Sequence, residues 1–134
     1  MKVFIIGLIS LFFATSTNAC EPTEITFNKN KICASLKWMT GPTLNEFNSI
    51  EVSLRREGHL GLENTMLKVL PWMVMGGGHE HGSRPVETSK VGNDLYLVKK
   101  IYFMGGMSGN WFLRFQLLDN NSQIIEEVRS PVVF

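Results

Sequence analysis

The run Trp111-Phe112-Leu113-Arg114-Phe115-Gln116-Leu117 constrains the fold more than any other stretch of the chain. In a strand, successive side chains point to opposite faces, so Trp111, Leu113, Phe115 and Leu117 share one face while Arg114 and Gln116 share the other. Ile50, Val52 and Leu54 alternate in the same way with Glu51, Ser53 and Arg55. That is the pattern of an antiparallel strand with one dry face and one wet face.

Four further runs rich in Val, Ile, Leu, Phe, Tyr and Trp read as strands: 32–38, 66–72, 95–103 and 123–134. With 49–55 and 110–118 they are separated by turn chemistry at Gly41-Pro42, Glu57-Gly58, Gly92-Asn93-Asp94 and Asp119-Asn120-Asn121. No long helical stripe competes with them. The spacing predicts an all-β chain, an immunoglobulin-like antiparallel β-sandwich of about seven strands, with a small closed barrel as the alternative. No repeat, low-complexity tract or linker divides it, so residues 20–134 are expected to form one domain.

Residues 1–19 have a different character. Met1-Lys2, the apolar run Val3 to Ala14 and the small residues leading to Ala19 follow the order of a secretory signal peptide. The run is short for a bilayer crossing, and an uncleaved anchor is the alternative. Export to the periplasm or the medium is the expectation. The chain carries 13 Lys+Arg and 12 Asp+Glu, and loss of Lys2 with the signal balances them. Charges of both signs are scattered, which argues against nucleic acid and anionic membrane surfaces as partners.

Two cysteines, Cys20 and Cys33, suit an oxidising compartment. A bridge between them would close a short loop, worth about 3 kcal/mol by loop entropy. The rival fate is a lipid on Cys20, which would tie the protein to a membrane. Asn18 just before Ala19-Cys20, and the lack of an upstream Leu, fit a lipoprotein signal poorly.

The segment from Pro71 to Pro85 breaks the strand pattern, because Gly76-Gly77-Gly78 does not suit a strand that is only being packed. Met73 and Met75 lie two apart, as do His79 and His81, so in extended backbone each pair points to one side. The glycines let the chain fold back and bring imidazoles toward thioethers. Phe103-Met104-Gly105-Gly106-Met107-Ser108-Gly109 repeats the theme between two strong strands. If the two loops share one end of the sandwich, Met73, Met75, Met104, Met107, His79 and His81 form one set of soft donors.

Thioethers and imidazoles suit copper, Cu(I) more than Cu(II), whereas carboxylate-rich sites suit harder ions. A thioether needs no deprotonation and resists loss to disulfide chemistry in an oxidising space. Zinc sites are usually built from Cys and His, which are too few here. Methionine is also a common core filler, and Met39 and Met66 are expected in the core. Met73 and Met104 are open to the same reading. His59, in a separate glycine turn, is expected to be solvent-exposed. Trp72 is taken as packing and left outside the site.

Three stretches together resemble the YtkA-like and FixH-like domains: Trp72 through Val86, Leu95-Tyr96, and Phe103 through Trp111, preceded by the Gly41-Pro42 turn. The resemblance implies an immunoglobulin-like fold, an envelope location, and copper handling in association with copper-transporting pumps or haem-copper oxidase assembly. It implies no enzyme. Met73, Met75, His79 and His81 fall on the family's Met/His motif and Met104 on its second methionine. Val74 stands where the family usually has Pro, extra glycines precede His79, and His81 is an added donor. FixH-like members usually keep a membrane helix, so a soluble or lipid-anchored YtkA-like type is the nearer comparison.

The leading functional expectation is an exported copper-binding protein that buffers or carries the ion toward an oxidase-assembly or efflux protein. The alternative is an envelope interaction module whose methionine- and glycine-rich loops make an adaptable apolar surface. An enzyme is the most distant reading, because no nucleophile and base, paired acids or phosphate loop is recognisable.

Overall fold

Alternating apolar side chains draw the chain into two antiparallel sheets that bury their facing sides. The structure, a computed structural model, describes residues 20–56 and 64–134. The predicted signal segment and the turn with His59 lie outside them. Nine strands follow in order: β1 (Ile25–Phe27), β2 (Ile32–Thr40), β3 (Phe47–Arg56), β4 (Met66–Met75), β5 (Glu80–Gly82), β6 (Glu87–Gly92), β7 (Leu95–Tyr102), β8 (Gly109–Leu118) and β9 (Ile124–Pro131). One sheet has the order β1-β2-β3-β7-β6 and the other β5-β4-β8-β9. The fold is the expected β-sandwich, with nine strands rather than about seven.

The extra strands are those with the least sequence signal. β1 and β5 are three residues each, too short to show a period. Every residue of β6 is exposed, so no dry face selected its side chains. It is an edge strand, and Glu87 and Lys90 keep that edge wet.

Trp111, Leu113, Phe115 and Leu117 of β8 are all buried, and they meet Ile50, Val52 and Leu54 of β3 in one core. Met39 and Met66 are not part of it; they are 52% and 56% exposed. The phase of each strand decides this. Met66 precedes the inward Leu67, and Met39 follows the inward-leaning Trp38 at a register shift near the end of β2. Methionine composition indicates adaptability, whereas strand phase determines direction.

One end of the sandwich is cross-linked. Cys20 and Cys33 form a disulfide, and while bridged the Cys20 sulfur is not free to carry a thioether lipid. At the same end Glu126 of β9 accepts from Lys29 N at 3.1 Å, Asn30 N at 3.0 Å and Asn30 Nδ2 at 2.9 Å, tying the β1–β2 turn to the other sheet.

The outer face of the four-stranded sheet carries a charged network. Arg114 donates to Glu127 through two bonds of 2.7 and 2.9 Å, and Gln116 adds a third at 3.0 Å. These donors hold the Glu127 carboxyl at a pKa of about 2, Arg114 contributing most. Its unfolded value is near 4.5, so its stabilisation is fully present above that pH and is lost as pH falls through 2.

Glu127→Gln is expected to destabilise the protein by about 1–2 kcal/mol at pH 7, discounting the linkage value for solvent screening. Urea unfolding of the variant and wild type should converge as pH drops from 4.5 toward 2; a constant gap would refute the assignment. Replacing both Cys20 and Cys33 by Ser is expected to cost about 3 kcal/mol, read as a fall in urea midpoint with little change in slope.

Candidate metal-binding hairpin

The three glycines that break the strand pattern form the turn of a hairpin. β4 runs through Met75, the chain reverses over Gly76–Gly78, and β5 returns with Val74 opposite Glu80, Met73 opposite His81 and Trp72 opposite Gly82. Gly78 N donates to Met75 O at 3.0 Å and Met75 N to His79 O at 2.8 Å. Gly78 has φ of 81°, a backbone region costly for residues with a Cβ. This is the three-residue hairpin in which a turn is followed by one left-handed residue.

The register sorts the side chains. Met73 is fully buried, and His81 and Trp111 stand directly opposite it on β5 and β8. Met75 is half-buried against the core. His79, just before β5, is exposed, and its imidazole centroid lies 6.1 Å from that of His81. The His81 ring meets Trp111 edge-on, with 6.2 Å between centroids. The hairpin therefore gathers Met73, Met75, His79 and His81 on one side.

His81 has a defined protonation geometry. Its Nδ1 lies 2.8 Å from Gly82 O; a carbonyl only accepts, so Nδ1 carries a proton, and in the neutral ring Nε2 is then the bare lone pair. Nε2 is buried and has no hydrogen-bond partner among the described residues. Glu80, between the two histidines, points the other way and pairs with Arg129 at 2.7 Å. That bond chiefly holds the Glu80 carboxyl below its ordinary range.

The second methionine loop lies at the same end, as the sequence suggested. Gly109, which closes it, pairs with Met75. A Cβ at Gly109 would come 2.8 Å from Val74 O and 3.2 Å from Met73 Cγ, so only glycine permits this approach. Met104 is half-buried, and its carbonyl accepts from Trp111 Nε1 at 3.2 Å. Met107 is 38% exposed. Both methionines line a crevice of about 150 Å³ with Trp111, Leu44 and Phe134, and the four hairpin donors do not line it. The six expected donors thus share one end of the sandwich as two neighbouring groups, with Trp111 touching both.

Among the described residues no three His, Cys, Asp or Glu side chains gather where a metal ion could sit. Both cysteines are bridged at the far end. The imidazoles and thioethers at this end are those of His79, His81, Met73, Met75, Met104 and Met107. Sequence reasoning missed Trp111 as a neighbour of the site, because its place in a core alternation already accounted for it.

Fold and site together define a small all-β sandwich with a soft-donor hairpin at one end. The chain matches no protein-family model, no curated protein and no solved structure.

Gly109→Ala is expected to cost about 1–3 kcal/mol, because the methyl group meets backbone that cannot swing away. Gly77→Ala has open space around its Cβ and should change stability by no more than about 0.5 kcal/mol. Thermal unfolding of the two variants side by side tests the contrast.

Proposed function

We propose that this is an exported copper-binding protein that buffers or carries the ion, Cu(I) in preference to Cu(II), through the β4–β5 hairpin. The observation that supports this reading most is the His81 ring. Nδ1 is committed to a backbone carbonyl and Nε2 is a buried lone pair without a partner among the described residues. Metal-ligating histidines typically bind through one nitrogen while the other donates to a carbonyl or carboxylate. A buried acceptor left unpaired costs about 1–3 kcal/mol, and a soft cation removes that penalty.

The donors have graded roles in this proposal. His81 is the primary ligand and His79, 6.1 Å away by ring centroid, the second imidazole. Met75 supplies the thioether at the hairpin end. Met73, buried in the core, is the hardest to recruit. Met104 and Met107, in the neighbouring crevice, are placed to receive or relay a soft ion. The resemblance to YtkA-like and FixH-like domains suggests the recipient, a protein of oxidase assembly or copper efflux, and the envelope as location. The cargo is bound and released without chemical change.

A second reading, an interaction module, draws on apolar exposure at the same end. Phe47 and Phe134 are each 52% exposed and Leu44 41%. In that reading metal is incidental.

Competition against a Cu(I) chelator separates the two. His81→Ala is expected to weaken Cu(I) binding by at least about tenfold, and Met75→Ala to weaken it less. Equal, weak binding in wild type and His81→Ala would remove the copper reading.

A further inference from the structure

The outer face of the hairpin has a built arrangement that the donor set alone does not explain. Trp72 lies directly opposite Gly82, and its ring covers that residue so closely that a Cβ there would sit 3.1 Å from Cζ3 and 3.4 Å from Cε3. Arg114 stacks on the same indole, its Cζ 4.3 Å from the ring centroid. Arg114 is fixed in turn by its two bonds to Glu127. Gly82 is also the residue whose carbonyl accepts the hydrogen bond from His81 Nδ1–H. Outer-face packing and inner-face imidazole therefore meet at one peptide.

We infer that Trp72, clamped by Arg114, is a positioning residue for His81. By pressing on Gly82 it holds the carbonyl where it captures the Nδ1 proton and so keeps Nε2 as the free donor. This deepens the copper reading and rests on it for its purpose, although the positioning itself exists without metal.

The hairpin by itself is weakly held. β5 has three residues and among the described residues pairs only with β4, so its own ladder cannot hold a peptide plane firmly. Two outer contacts supplement that ladder: the Glu80–Arg129 pair at 2.7 Å and the Trp72 ring on Gly82. The ion pair is exposed, is screened by salt, and grips Glu80 rather than the acceptor peptide. The indole contact is apolar and insensitive to salt, and it bears on the acceptor residue itself. Of these two outer contacts, Trp72 is the one that bears on where the Gly82 carbonyl points, while Ser83 anchors the far side of the same peptide by donating from Oγ to Tyr102 O at 2.6 Å. Fixing the tautomer matters because an imidazole protonated on Nε2 would turn a donor toward the ion in place of a lone pair.

The tautomer is read directly by ring-nitrogen chemical shifts of His81 in the metal-free protein, above the pH at which imidazoles charge. Wild type and Trp72→Phe, which keeps a flat ring over Gly82, should show the Nδ1-protonated form. Gly82→Ala, which drives a methyl group into the ring, and Arg114→Met, which removes the clamp, should both shift His81 toward a mixture. Cu(I) affinity should fall about tenfold in Gly82→Ala. Glu80→Gln, which removes the Glu80–Arg129 pair and leaves the Arg114 clamp in place, should leave the tautomer unchanged. Retention of the wild-type tautomer in Gly82→Ala and Arg114→Met, with a native amide spectrum elsewhere, would overturn the inference. If the tautomer shifts as expected while His81→Ala binds Cu(I) as well as wild type, the positioning stands and the copper reading falls.

Discussion

The structure depends on the register between β4 and β8. Ten pairs run without a shift from Met66 opposite Leu118 to Met75 opposite Gly109. Because side chains alternate, that register places Leu67, Val69, Met73, Leu113, Phe115 and Leu117 in the core at once. A slip of one residue would turn one strand's whole inward set to solvent. The same register places Trp72 and Arg114 on the outer face, where the guanidinium stacks on the indole. It also brings the two methionine loops to one end, since β4 ends where β8 begins. Their convergence therefore follows from the core's own pairing.

The two ends of the sandwich differ physically. The disulfide end is closed by a covalent bridge and by Glu126 reaching across to the β1–β2 turn. The opposite end is closed by a three-residue strand, glycine turns and methionines. Local stability follows such differences, with short strands and exposed backbone bonds opening first. In the copper proposal this asymmetry has a use: a rigid sandwich carries a hairpin soft enough to gain and lose an ion. Asn45 limits the softness, because its backbone N donates to Phe103 O at 2.7 Å and its side chain accepts from Gly105 N at 2.8 Å.

How much of this was legible in the sequence depended on whether a residue's neighbours lay within one strand. Trp111 to Leu117 and Ile50 to Leu54 displayed their inner faces openly, since burial had already selected every second residue. β6 displayed nothing, because both its faces are wet and no selection for alternation acts on it. Met39 and Met66 were misplaced for a related reason. Residue type says what a side chain tolerates, and only the phase of the strand says where it points. The sequence left open whether both methionine loops meet at one end, because that depends on which strands pair, and the β4–β8 register brings them together. The partition of the six donors into a hairpin group and a crevice group was not readable either, because it depends on Gly109 packing against Met73 and Val74 from another strand.

The donor types also bear on which residue leads in the proposed site. A thioether buried in a core is already satisfied, because sulfur demands little hydrogen bonding and Met73 gains full packing where it stands. Drawing it toward an ion would open a cavity at a cost of about 2–5 kcal/mol, the scale of deleting a buried Met or Leu side chain. The His81 lone pair is the reverse case, since its burial is unfavourable until something with positive charge approaches. In the copper proposal, affinity at this hairpin therefore builds outward from the imidazole. His81 is the donor that gains most from the ion, the exposed His79 and the half-buried Met75 complete the set, and Met73 remains part of the core that keeps the hairpin in register.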